Sequence, residues 1–189
     1  MSKLAGLIAR NRVRFSYPLA AALLLFARPT LRSILSGAFI GVYGLWIRAY
    51  AAGYLDKQRV LTVTGPYART RNPLYFGSTI LALGAAIAMH SLISAALLLL
   101  YFAVVYSVVM RREEDELRSQ HGAAFDAYAR AVPLFIPRLR PARISGASAG
   151  SFSFAQYRKN HEHQAAIGFL LLLAVLVALW RWPLPFFRG

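Results

Sequence analysis

Apolar residues in this chain run on continuously and do not recur on one helical face. Five runs stand out: Phe15–Ala27, Ser33–Leu55, Leu74–His90, Leu92–Met110 and Ala165–Trp180. A soluble domain would confine its apolar side chains to periodic faces. The pattern therefore predicts an all-α, polytopic membrane helical bundle of about five transmembrane helices. The third and fourth runs are separated only near His90-Ser91. As helices each is roughly 25–28 Å long, close to the hydrocarbon thickness of a bilayer. One crosses and the next returns, so the polar residues at their outer ends should meet on one side. Phe15–Ala27 is only about 20 Å long and needs snorkelling arginines or a thinned bilayer to span. Leu25 and Arg28-Pro29 do not suit a leader cleavage site, so this run reads as a retained first helix.

The two patches that the hairpin reunites are the polar features most in need of explanation. The first is Thr64-Gly65-Pro66-Tyr67, then Arg71-Asn72-Pro73-Leu74-Tyr75-Phe76-Gly77; the second is Arg111-Arg112-Glu113-Glu114-Asp115-Glu116-Leu117. Pro66 and Pro73 disfavour helix at the residues before them, so Thr64–Pro73 is expected to be extended, with Pro73 in the first turn of the next helix. The acidic patch has two readings. It is a solvated helix held by i,i+4 pairs such as Arg111–Asp115, Arg112–Glu116 and Glu114–Arg118, or one or two of its carboxylates turn inward onto a polar ligand.

Charge adds an orientation. The chain carries 22 Lys and Arg against 7 Asp and Glu, a formal +15. The cations gather at run ends: Lys3, Arg10, Arg12 and Arg14, then Lys57, Arg59, Arg69 and Arg71, then Arg111 through Lys159. That is positive-inside patterning with attraction to anionic membrane lipid, and it places the N-terminus and both patches on the cytoplasmic side. No folded basic face argues for nucleic acid. Cysteine is absent, which excludes disulfides, thiolate metal sites and a cysteine nucleophile. His161 and His163 share no helix face and have no companion ligands, so no metal is expected. One membrane domain covers 1–189. Its parts are N-terminal helices (1–59), a core with the hairpin (60–137), a cytoplasmic connection (138–163) and a last helix (164–189). Arg140–Ser153, rich in Ser, Gly and Ala, reads as a flexible link without chemistry. Gly37 and Gly41, and Gly77, Gly84 and Ala88, suit close helix packing. Arg48, about 10 Å inside the second run, is either a functional residue or a snorkelling one. Glu162 is placed outside the site, and His90 at the far end of its helix.

These motifs resemble the isoprenylcysteine carboxyl methyltransferase and phospholipid methyltransferase group of membrane enzymes. The resemblance rests on Gly65-Pro66-Tyr67, Arg71-Asn72-Pro73-Leu74-Tyr75-Phe76-Gly77, Glu113-Glu114 with Leu117, Gly122, Phe125, Tyr128, Val132-Pro133 and Ile136-Pro137. It covers roughly Val60–Pro137, with the N-terminal helices matching in character only. Asn72 stands for the family's usual histidine, His121 for phenylalanine, Phe125 for tyrosine and Leu134 for arginine. Asparagine can contact a cofactor but cannot titrate near neutral pH.

The resemblance implies S-adenosyl-L-methionine as methyl donor. It implies Tyr67, Arg71, Asn72, Pro73, Tyr75, Gly77, Glu113, Glu114 and Tyr128 around it, with Arg71, Glu114 and Tyr75 closest to the chemistry. Tyr128 and Pro133 through Pro137 would shape a lid. The acceptor implied first is a lipophilic carboxylate of the isoprenylcysteine kind. The amine of a phospholipid is the alternative. Two further readings stay open, an NADPH-dependent enzyme of the sterol-reductase kind and a non-enzymatic lipid-binding bundle.

Overall fold

The computed structural model describes residues 18–55, 61–144 and 150–183. Lys3, Arg10, Arg12, Arg14, Lys57, Arg59 and the start of the first apolar run lie outside the described residues. The described chain is all-helical. Residues 18–26 form α1; α2 is Leu31–Tyr54, α3 Pro73–Met89, α4 Leu92–His121, α5 Ala123–Ala131, α6 Phe154–Lys159 and α7 His163–Arg181. Helices α2, α4 and α7 are long and apolar enough to cross a membrane, while α3 is an apolar helix of 17 residues.

Helix boundaries follow local chemistry. Thr30 caps α2 through a reciprocal pair with Ser33, the hydroxyl of each accepting from the other's backbone N–H. His90 ends α3 at φ 51°, and Ser91 caps α4 by accepting from the Ser94 N–H. This is the tight reversal expected at His90-Ser91. Pro73 opens α3 in its first turn, also as expected. Helix α4 does not stop at Met110; it continues through the acidic patch to His121, about 45 Å in all. Gly122, at φ 51°, then turns the chain into α5. The loop before α3 departs from the extended form expected for it. Residues Gly65–Ala68 form a 3₁₀ turn, because Pro66 fits its start and Gly65 takes φ 59° beneath the Tyr54 ring.

Helices α2 and α3 are the closest-packed pair. A Cβ at Gly44 would stand 2.5 Å from the Leu81 nitrogen, and one at Gly84 2.6 Å from the Gly37 oxygen. Backbone lies on backbone here, which only glycine permits. Two apolar cores result. One joins α1, α2, α3, α4 and α7 around Ile34, Ala88, Met89, Leu98, Phe169 and Leu176. The other is small and lies outside the long helices, where Phe125, Tyr128 and Val132 pack on Leu61, Val63 and Leu117. Leu117, Phe125 and Tyr128 of this second core also line the cavity described next.

Candidate active site

A cavity of about 300 Å³ opens where the 65–73 loop meets α4 and α5. The loop beneath it is fixed by hydrogen bonds to backbone carbonyls. The Arg71 N–H donates to the Pro133 carbonyl at 2.9 Å, the Thr70 hydroxyl to Phe135 O at 2.9 Å, and Asn72 Nδ2 to Leu134 O at 3.0 Å. The Val132–Pro137 segment thus braces the loop from behind. Pro133 through Pro137 do not line the cavity, so this segment is a buttress and not the lid expected of it. One Asn72 amide N–H and the backbone N–H both serve this bracing, the latter donating to the Thr70 hydroxyl.

Arg71 is the hub. Its Nη1 donates to Ala129 O at 2.7 Å and to Val132 O at 3.2 Å, and its Nε lies 2.6 Å from Glu114 Oε1. Both side chains of this pair are largely buried, 14% and 17% exposed. The pair is in ionic contact but out of hydrogen-bond alignment, so the facing Nε and Oε1 keep directional capacity unspent. Glu114 therefore points inward and not to Arg118, its expected helix partner. Arg118 pairs with Asp126 at 2.9 Å and Asp115 at 3.9 Å. Glu113 also lines the cavity, accepting the Tyr75 hydroxyl at 2.6 Å, and the Tyr75 ring sits edge-on to Tyr106 at 4.8 Å.

Two tyrosines close the inner wall. The Tyr128 hydroxyl donates to the Tyr67 carbonyl at 2.9 Å. The Tyr67 hydroxyl is buried and has no hydrogen-bond partner among the described residues. Burial pushes both phenols up from the usual tyrosine value, helped at Tyr67 by Tyr128 and Glu113 and opposed at Tyr128 by Arg71. Both are therefore neutral O–H groups at physiological pH.

The structure brings together Tyr67, Arg71, Asn72, Pro73, Tyr75, Glu113, Glu114 and Tyr128, all on the cavity wall. Gly77 is the exception among the expected residues. It faces α2, where a Cβ would meet Arg48 Cγ at 2.9 Å and the Gly44 oxygen at 3.0 Å, so it serves packing. Sequence reasoning missed Glu162. It lines the cavity and pairs with Arg48 at 2.8 Å, which also brings Arg48 and Ser78 onto the wall. The signal available was the rarity of acids. Three of the chain's seven, Glu113, Glu114 and Glu162, converge here on two arginines. Nor is the connection after Arg138 a free link throughout, since Arg138 and Ala142 donate backbone N–H groups to Arg69 and Ala68, and Ser153 to Gly53. Among the described residues no group of His, Asp and Glu is placed to hold a metal ion.

Comparison with known proteins places the chain in a family. The phospholipid methyltransferase family model matches residues 18–124. The match reaches back through α1 and α2, which the motifs alone resembled only in character. The nickel-cobalt-cadmium resistance protein NccN of Alcaligenes xylosoxydans xylosoxydans is 41% identical over 95 residues, 50% of this chain and 43% of its own. The cobalt-zinc-cadmium resistance protein CzcN of Cupriavidus metallidurans is 35% identical over 116 residues, 61% of this chain and 51% of its own. The chain thus spans about half the length of these curated relatives. No solved structure matches. With the family model covering more than half of its length, over a helical membrane bundle, this chain belongs to the phospholipid methyltransferase family.

Proposed function

We propose that the cavity binds S-adenosyl-L-methionine and that the protein transfers a methyl group to a lipophilic acceptor on the cytoplasmic side of a membrane. The observation that carries this reading is the gathering of charge. In a chain of net +15, the cavity wall holds Glu113, Glu114 and Glu162 against Arg48 and Arg71, one negative charge in excess. Such a wall selects a ligand with net positive charge that also bears a carboxylate for an arginine. The buried, unpartnered Tyr67 hydroxyl is a donor waiting for a ligand acceptor.

Glu113 and Glu114 would hold the donor's ammonium or ribose, Arg71 its carboxylate, and Tyr67 a further acceptor atom. Asn72, Pro73, Tyr75 and Tyr128 would form the walls. When bound, the cofactor supplies an electrophilic methyl on a sulfonium. The protein's task is to align the acceptor with that methyl and exclude water, which Tyr67, Tyr128 and Phe125 favour by closing the inner wall. Of the two acceptor classes, the lipophilic carboxylate expected first meets a wall of like sign. The excess of carboxylates favours the second class, a lipid amine, whose N–H protons a carboxylate can accept.

Equilibrium binding to the detergent-solubilised protein tests the reading. S-adenosylhomocysteine should bind, and binding should be lost in Glu114→Ala and Arg71→Ala but kept in Glu116→Ala, which alters an exposed carboxylate of the same patch. Binding of NADPH alone would instead indicate the reductase reading, and binding of neither the non-enzymatic bundle.

A further inference from the structure

The cavity has a second ion pair at greater depth. Arg48 Nε donates to Glu162 Oε2 and Nη2 to Oε1, both at 2.9 Å, a two-point contact with side chains 20% and 9% exposed. Arg48 Nη1 donates to the Ser78 hydroxyl and to Leu74 O. The guanidinium is thereby close to saturated. Glu162 is not, because a carboxylate offers about four lone-pair sites and Arg48 engages two of them.

Position separates this pair from the first. Arg71 and Tyr67 lie in the loop outside the helices, where a water-soluble molecule arrives. Arg48 is six residues inside the end of α2 and Ser78 five inside the start of α3, about 9 Å and 7 Å along their axes. The flanking helices are held to the α2–α3 pair more than to each other. Helix α4 packs on α3, and α7 on α2 and α3, but α4 and α7 do not pack extensively on each other. The stretch of α3 that lines the cavity presents Leu74, Tyr75 and Ser78.

Glu162 is also set in place by its own segment. The C-terminal end of α2 has no basic residue in its last turn. Its carbonyls are taken up by the chain around α6: Asn160 Nδ2 donates to Ala52 O and Leu55 O at 2.9 Å, Gln156 Nε2 to Leu55 O, and the Ser153 N–H to Gly53 O at 3.0 Å. His161, at φ 55°, then turns the chain so that Glu162 starts α7 over the cavity. This segment lies beyond residues 18–124, the part shared with the family model.

We propose that Glu162, aligned by Arg48 and Ser78, receives the hydrogen-bond-donating polar head of the lipid-borne methyl acceptor, and so is the acceptor-specificity residue of this chain; the proposal rests on the methyl-transfer reading above. The cofactor occupies the shallow, loop-side pair and the acceptor's head the deep one, with its apolar tail leaving between α4 and α7. A head that donates N–H bonds suits Glu162, whereas a carboxylate head would have to displace Glu162 from Arg48.

Two measurements on the full-length protein test this. The first is S-adenosylhomocysteine affinity. The second is labelled-methyl transfer to vesicles of a total lipid extract and to micelles of a prenylated cysteine. Both are made on wild type, Glu162→Gln, Glu162→Asp and Glu116→Gln, the last neutralising an exposed carboxylate that does not line the cavity. Glu162→Gln should keep S-adenosylhomocysteine affinity within about threefold and raise the apparent acceptor KM about tenfold or more, with the product an N-methylated lipid. Glu162→Asp should recover part of the loss, and Glu116→Gln should leave KM near wild type. If Glu162→Gln does not fold, Glu162→Asp carries the test, with a raised acceptor KM at unchanged S-adenosylhomocysteine affinity expected. Parallel loss of cofactor affinity and turnover, an unchanged acceptor KM, or preferential methylation of the prenylated cysteine overturns the assignment. So does a wild type that binds S-adenosylhomocysteine but methylates neither substrate. A wild type that does not bind S-adenosylhomocysteine defeats the methyl-transfer reading, and this inference with it.

Discussion

Removing one oxygen, in Tyr67→Phe, should strengthen the empty protein and weaken its grip on the cofactor. The Tyr67 hydroxyl is buried without a partner among the described residues. An unsatisfied buried polar group costs about 1–3 kcal/mol, and phenylalanine preserves the ring and its packing. The ligand-free protein should therefore gain about 1 kcal/mol, read as a rise of roughly 2–4 °C in Tm for a chain of this size. If the hydroxyl is reserved for ligand, the lost hydrogen bond of about 1 kcal/mol should weaken S-adenosylhomocysteine roughly fivefold. Tyr128→Phe is the matched comparison, since that hydroxyl donates to Tyr67 O at 2.9 Å. Its removal strands a buried carbonyl and should lower Tm. Thermal melting in detergent, plus titration calorimetry, reads all three quantities. A Tyr67→Phe variant that melts lower than wild type, or binds ligand equally well, would refute the reasoning.

Arg71→Ala removes two carbonyl contacts and leaves Glu114 as an uncompensated, largely buried charge. A loss of about 3–5 kcal/mol is expected in chemical denaturation, and Arg71→Lys should not restore it because the fork is gone. Gly44→Ala should lower Tm by forcing a Cβ to within 2.5 Å of the Leu81 nitrogen, whereas Gly168→Ala, with open space around it, should raise Tm through helix propensity of about 0.5–1 kcal/mol. Burial holds the Tyr67 and Tyr128 phenols protonated past the point, near pH 10, where unfolded tyrosine ionises. Their contribution is complete below about pH 10 and falls as pH rises beyond it, because the unfolded chain then binds fewer protons. Denaturation midpoints should stay flat on this account from pH 7 to 9 and drop above 10, and Tyr128→Phe should flatten that drop.

Much of the helical framework was legible because lipid demands continuous apolar runs, and those runs survive as α2, α3, α4 and α7 within a few residues at most ends. The site was legible where residues lie next to one another in sequence. Arg71 and Glu114 meet because a reversal at His90-Ser91 folds two apolar stretches onto each other, a geometry that helix lengths alone predict. Glu162 was not legible, since its place depends on side-chain capping of α2 by Gln156 and Asn160 and on a left-handed residue at His161, none of which a hydropathy pattern records. Gly77 was misread for a related reason. It stands inside a motif, yet its neighbour is the Arg48 stem from another helix. The 3₁₀ turn at Gly65–Ala68 shows the same limit, because the conformations that proline excludes were legible but the positive φ of Gly65 was not.

The interlocked glycines of α2 and α3 make that pair a single rigid block, unable to slide or part without breaking backbone contact. Arg48 and Arg71 are both rooted in or beside this block, while the carboxylates they face ride on α4 and α7. With that block held fixed, widening the wall between the ion pairs means those two outer helices swing away. Such a swing pulls cation from anion, so a gap in the wall and a freed charge arise in the same motion, at the moment a visitor arrives to use both.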